Sequence, residues 1–365
     1  MPGTKALVLE SPCSLIEHEL DMPECQIGDA IIEIEACGLC GTDHEQYSGV
    51  LPSPGPFIPG HESIGIVVAS GDGTKETLGI EIGDRVALEV FQSCRTCQEC
   101  INGNYRYCLN HGIGDMYGFI PLSKSPGLWG GYASHQYLSP SSILHKIPSG
   151  LEPRVATLFN PLGAGIRWGA TLPETKPGDV VAILGPGIRG LCALVGALEA
   201  GASFVMVTGL GAKDSSRLEA ARLFGANLIV DVGEENPSKA LYQATGKQAD
   251  VVIDVTAKAP KAFAQAIEVA KPGGTVVFAG TRGSSEVPGF WPDLIVYKEL
   301  RILGALGVDS ESYKTAISIL HSGKYPFEHI ERQAAGFSGV SRLIETMGGQ
   351  GLDHPPIHGV FDPSI

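Results

Sequence analysis

With 365 residues, 43% of them hydrophobic and 18% charged, the chain has a globular composition and enough length for two hydrophobic cores. Forty acidic against 26 basic side chains give a formal net charge of −14. This excludes a polyanion such as nucleic acid as the expected partner, because phosphate recognition relies on Lys and Arg. No apolar run reaches the length of a membrane span, and the first ten residues hold no charged leader followed by an apolar core. A cytoplasmic protein with a small-molecule ligand, and no membrane partner, is therefore expected.

In chain order, short β-branched or alternating runs at residues 4–9, 16–20, 29–36, 63–71 and 83–90, broken by Gly and Pro, predict a β-rich first domain. Inside it, ACGLCGTDHEQYSG and then PGHE bring a thiolate, an imidazole and a carboxylate into one segment. A catalytic zinc takes three protein ligands of these kinds and keeps one position open. Cys40, His61 and Glu62 are the candidate ligands, the alternative being a buried free thiol and a satisfied loop histidine. Next, Cys94, Cys97, Cys100 and Cys108 stand at C-x2-C-x2-C-x7-C spacing, which suits a closed tetrahedral structural zinc site, with an iron–sulfur cluster as the competing use. Nine cysteines without a secretory signal point the same way, toward thiols as metal ligands in a reducing compartment. Residues 109–145 read as a long connection carrying Tyr117, Phe119, Trp129 and Tyr132, with Trp129 a candidate pocket wall.

Beyond residue 155 the pattern changes. VATLFNPLGAGIRWGA predicts a helix-rich linker, and VVAIL is followed by a Gly-rich turn and an apolar helix. Gly185, Gly187 and Gly190 form G-x-G-x-x-G between strand and helix, so with Ile188 and Arg189 they are candidates for binding a dinucleotide pyrophosphate at a helix N-terminus. FVMVTG, LIVDV, DVVIDVTA, GGTVVFAG and ELRILGALG then alternate with amphipathic helices. That alternation predicts an α/β, doubly wound parallel sheet, followed by the helix SYKTAISILHSG and a terminal run IHGVFDP. The second strand ends in Gly209 rather than an acid. Gly209, Lys213 and Arg217 would leave room and charge for a 2′-phosphate, while Asp214 could serve the ribose of NAD, so NAD and NADP both stay open.

CGTD, GHE, the four-cysteine lobe, the Pro-Leu-Gly linker and the Gly-rich turn, in this order over nearly the whole chain, resemble the zinc-containing medium-chain alcohol dehydrogenase superfamily, in particular its polyol and threonine dehydrogenase-like branch. The resemblance implies a GroES-like catalytic domain from residues 1–158 and 306–365, with a structural zinc lobe at 94–108, and a Rossmann domain at 159–305. It also implies Cys40 and His61 as catalytic zinc ligands, with Glu62 beside the metal and able to serve as a ligand. Thr42 would bond the substrate oxygen and begin a proton relay, and a homodimer or homotetramer is expected. Two positions depart from the family pattern. Asn160 stands where a third ligand, usually Glu, Asp or Cys, precedes Pro-Leu, and a neutral amide binds zinc poorly. The relay position five residues beyond Cys40 holds Glu45, with His44 one place earlier. The expected reaction is zinc-assisted hydride transfer between NAD(P) and an alcohol or its carbonyl partner. Tyr47, Phe57, Phe290 and Trp291 suggest an apolar primary, secondary or alicyclic alcohol. The rivals are a zinc-independent NADPH-dependent alkene or quinone reductase, which Asn160 would favour, and a non-catalytic dinucleotide-binding protein.

Overall fold

Strands β1 (Thr4–Ser11), β2 (Ser14–Leu20), β3 (Ala30–Leu39), β4 (Ser63–Ser70), β5 (Arg85–Leu88), β6 (His135–Leu138) and β7 (Leu144–Lys146) lie in the first 150 residues. Then come β8 (Val180–Leu184), β9 (Phe204–Gly209), β10 (Leu228–Asp231), β11 (Ala249–Asp254), β12 (Ala270–Phe278) and β13 (Arg301–Gly304), and finally β14 (Arg332–Ala335) and β15 (His358–Phe361). The structure is a computed structural model describing residues 3–53, 55–283, 285–350 and 355–365. The backbone divides into two units. One runs to Asn160 and takes in Asp309–Ser322 and Phe327–Ile365; the other comprises Pro161–Val308 and Gly323–Pro326.

In the first unit β1 and β2 form a hairpin, and a mixed sheet runs β14-β15-β3-β4-β5-β7, with β6 also paired to β3. Its core gathers Leu7, Ile32, Ile34, Leu39, Phe57, Tyr117, Trp129, Tyr132 and Phe361, the inward-facing apolar positions of strands and loops alike. The second unit is a parallel sheet ordered β10-β9-β8-β11-β12-β13. All five residues of β8 are buried, as expected of a central strand covered by helices on both faces. The expected α/β class holds, with a β-rich unit and a separate parallel-sheet unit. The helices Phe159–Ile166 and Ile188–Glu199 meet backbone to backbone, for a Cβ at Gly165 would sit 2.2 Å from the Cys192 carbonyl carbon.

Several sequence expectations change. The 109–145 connection is not structureless, since it contains β6 and reaches β7, strands of four and three residues that are too short to show alternation. Trp129 is core rather than pocket wall: it is 5% exposed, donates from Nε1 to Lys124 O at 2.8 Å, and meets the Tyr137 ring edge-on at 4.8 Å. The helix Val340–Met347 and strand β14 lie in a stretch where no element is expected from the sequence.

Candidate active site

The helix Gly41–Tyr47 begins at Cys40, which serves as its N-cap. Thr42 N–H donates to Cys40 Sγ at 3.3 Å, and Asp43 returns the contact by accepting the Cys40 N–H at 2.8 Å. This reciprocal cap fixes the thiol at the mouth of the helix. The Gly60 turn delivers His61 and Glu62 to the same place, with His61 Nε2 3.2 Å from Cys40 Sγ. The donor atoms of Cys40, His61 and Glu62 all lie within 4.8 Å of one another. Zn–S and Zn–N bonds of about 2.3 and 2.0 Å place two such donors about 3.5 Å apart at tetrahedral angles, so the spacing fits a shared dication. One thiolate, one carboxylate and a neutral imidazole would balance its charge. Two buried atoms, His61 Nδ1 and Asp43 Oδ1, make no hydrogen bond and stand 3.9 Å apart. That arrangement suits an imidazole held by the metal on one nitrogen and by a carboxylate on the other. Sequence reasoning missed Asp43. Its signal was the D of CGTD, three residues after a capping Cys.

Thr42, His44 and Glu45 share this helix, and all three are half-buried. The His44 ring lies against the backbone after the helix Val340–Met347, since a Cβ on Gly348 would be 2.1 Å from His44 Nε2. Asn160 is 2% exposed, and its Nδ2 donates to the Tyr313 hydroxyl at 3.1 Å. The aromatic beside the ligands is Phe119, whose ring centre is 5.7 Å from that of His61. Tyr47 and Phe57, expected near substrate, are core residues at 7% and 1% exposure. Phe290 packs edge-on against Phe263, and Trp291 is exposed.

In the cysteine lobe the Sγ of Cys94 is 3.8 Å from that of Cys100, and the Sγ of Cys97 is 4.0 Å from that of Cys108. Tetrahedral Zn–S bonds of about 2.3 Å put sulfurs about 3.8 Å apart. The Thr96 hydroxyl and backbone amides hold the Cys94 thiol down to about 5, while burial pushes Cys100 up to about 12. Only a bound cation would let all four thiols ionise together.

In the second unit the three glycines of the turn have separate reasons. Gly185 has φ +105, which an L side chain rarely adopts. At Gly187 a Cβ would meet nothing within 4 Å, leaving open space at the N-cap of the helix Ile188–Glu199. At Gly190 a Cβ would lie 1.9 Å from Gly185 O, so helix and strand touch there. Ile188 opens the helix, and Arg189 stacks its guanidinium over Trp168 at 5.6 Å. Gly209 does not leave the room expected of it, for its missing side chain points at Leu218 and Pro186, each 2.9 Å from a built Cβ. Beyond it, Asp214 accepts from Leu210 N–H at 2.9 Å and from Arg217 Nη1 at 3.1 Å, while Lys213 is exposed.

A β-rich unit carrying two clusters of possible metal donors, together with a parallel-sheet unit opened by a phosphate-type turn, defines the class of dinucleotide-dependent oxidoreductases. The family described as Alcohol dehydrogenase GroES-like domain matches residues 26–149, and Zinc-binding dehydrogenase matches 190–322. A Mycobacterium tuberculosis H37Rv protein described as "Probable alcohol dehydrogenase adh" is 58% identical over 98% of both chains. Among solved structures, a protein from Sinorhizobium meliloti 1021 described as "a putative zinc-binding dehydrogenase", bound to NADP, is 27% identical over 100% of both chains, with a TM-score of 0.85. Alcohol dehydrogenase TADH from Thermus sp. ATN1 is 25% identical over 98% of this chain and 99% of its own, with a TM-score of 0.83. The chain belongs to the zinc-containing medium-chain alcohol dehydrogenase superfamily, and it is an NAD(P)-dependent alcohol dehydrogenase whose cofactors are zinc and NAD(P). No described helix is long and apolar enough to cross a membrane.

Proposed function

We propose that Cys40, His61 and Glu62 hold a catalytic zinc, that the four-cysteine lobe holds a structural one, and that the enzyme interconverts a small alcohol and its aldehyde or ketone with NADP in preference to NAD. The observation that carries this reading is the convergence of three donors of different chemistry within 4.8 Å, backed by the buried Asp43–His61 pair. A zinc ion bound there would supply Lewis acidity, easing loss of the alcohol proton or polarising a carbonyl. The chain does the rest. Thr42 takes the hydroxyl proton and passes it toward solvent through His44 or Glu45, and a nicotinamide cofactor held by the Gly-rich turn would supply the hydride acceptor. Phe119 offers an apolar wall beside His61. Gly187 admits the pyrophosphate at the helix N-terminus.

For NADP speak Asp214, already committed to Arg217 and Leu210 N–H, and the cationic Lys213 and Arg217. The NADP-bound Sinorhizobium relative supports the same choice. Asn160, with its amide nitrogen on Tyr313, leaves Glu62 as the second anionic ligand. A cytoplasmic location fits nine cysteines none of which is in a disulfide. A homodimer or homotetramer would use β13, the outer strand of the parallel sheet, with exposed Val296, Tyr297, Ile302 and Leu306 around it.

Steady-state rates over primary, secondary and cyclic alcohols with NADP and NAD test the proposal. Turnover of an alcohol with NADP favoured about tenfold, and that preference largely lost in Arg217→Ala, is the expected result. Reduction of an activated alkene or quinone by metal-free protein, with every alcohol inert, would replace it by the zinc-independent reading.

A further inference from the structure

Three buried polar atoms behind the ligand centre make no hydrogen bond: Asp43 Oδ1, His61 Nδ1 and the Tyr132 hydroxyl. They occupy one place. His61 Nδ1 is 3.9 Å from Asp43 Oδ1, and the Tyr132 hydroxyl faces the same carboxylate with the Cys37 and Cys40 thiols near it. Buried polar groups are nearly always partnered, so three orphans side by side call for a common explanation.

Their hydrogen-bonding capacities match. With Nε2 turned to Cys40 Sγ at 3.2 Å, the ring offers Nε2 to a metal and keeps Nδ1 as an N–H donor. The Tyr132 hydroxyl is a second donor. Asp43 Oδ2 already accepts the Cys40 N–H at 2.8 Å, so Oδ1, with two lone pairs, is free to take both.

Tyr132 is also firmly anchored. Its N–H donates to Pro59 O at 3.0 Å, and its carbonyl accepts from Leu7 N–H at 2.8 Å. Its ring is 0% exposed, tilted on Phe361 at 5.5 Å. A Cβ at Gly60 would fall 2.7 Å from Tyr132 Cδ1, so the ring lies directly against the turn that carries His61.

We propose that Tyr132 is a positioning residue for the metal centre: its hydroxyl donates to Asp43 Oδ1, which then lines up on His61 Nδ1–H and fixes the imidazole that presents Nε2. This rests on the reading of Cys40, His61 and Glu62 as a zinc centre. The chain of contacts is Tyr132 to Asp43 to His61, three buried side chains behind the donor atoms.

The test measures metal affinity on the full chain for wild type, Tyr132→Phe, Asp43→Asn and the double variant, by chelator competition with zinc and by the ligand-field absorption of Co(II). Wild type should bind two metal ions. Tyr132→Phe should weaken the one at Cys40 about 10- to 100-fold and alter its Co(II) band, while lobe zinc stays bound and reports intact folding. In the Asp43→Asn background, adding Tyr132→Phe should change affinity by no more than about twofold. Two ions in wild type, with affinity and Co(II) band unchanged in Tyr132→Phe, would overturn the proposal alone and leave Tyr132 as packing. Effects of the two substitutions that simply multiply would overturn it as well, because Tyr132 would then act apart from Asp43. A wild type that binds only the lobe ion would overturn the zinc-centre reading itself.

Discussion

Replacing Gly38 by alanine separates the role of Glu62 from the integrity of the fold. Gly38 lies in β3, and its N–H donates to Glu62 O at 3.1 Å. A Cβ built on it falls 2.4 Å from Glu62 Oε2 and 3.2 Å from Glu62 Cβ. Ordinary heavy-atom contact is about 3.5 Å, so the carboxylate must retreat by about 1 Å. Because the obstructing atom is the far end of a side chain, the chain should still fold, losing about 1–3 kcal/mol of stability. A 1 Å displacement of a catalytic donor costs about 100-fold in rate, or about 2.7 kcal/mol of transition-state stabilisation. The assay pairs kcat/KM for an alcohol with zinc content and thermal midpoint. About a hundredfold lower kcat/KM, with the lobe zinc retained and a modest fall in midpoint, is expected. Wild-type kcat/KM with both zinc ions in place would refute the assignment of Glu62 to the centre.

Other predictions follow from the same geometry. Gly190→Ala puts a methyl group 1.9 Å from Gly185 O, so the helix must lift from the strand; NADP affinity by fluorescence titration should fall at least about tenfold, with about 1–3 kcal/mol lost in urea unfolding. Phe119→Ala removes the apolar surface 5.7 Å from His61, and KM for alcohols should rise about tenfold with zinc content unchanged. Lobe zinc needs ionised thiols, of which Cys100 is raised to about 12, so its dissociation constant, read with a chromogenic chelator, should rise as pH falls. Burial alone would raise the Asp362 carboxyl, but bonds from Ser364 and Arg154 hold it below its ordinary range. Its stabilising contribution is therefore present above the unfolded pKa of about 3.9 and lost as pH falls through the folded value. Asp362→Asn should cost about 1 kcal/mol in urea unfolding near neutral pH and almost nothing at the acid end.

What the sequence made legible was chemistry carried by local spacing. Four cysteines within fifteen positions and a Gly-rich turn between strand and helix depend on neighbours in the chain, and the folded backbone brings each group together. What it hid depends on contacts between distant segments. Tyr132 reaches Asp43 only because the loop before β6 runs back over the Gly60 turn. Trp129, Tyr47 and Phe57 look alike in sequence whether they line a pocket or fill a core, and only packing decides; here it decides for the core. Gly209 suggested space, yet the glycine is there because Leu218 and Pro186 occupy that space. Strands as short as β6 and β7 carry too few residues to show a period.

The central claim is a metal at Cys40, His61 and Glu62, and metal stoichiometry tests it most directly. Elemental mass spectrometry on dialysed wild type and Cys40→Ala protein should give two zinc ions per chain falling to one, with alcohol oxidation lost in step. One zinc ion in both proteins would contradict the account, confining the metal to the cysteine lobe and leaving the alcohol chemistry without its centre.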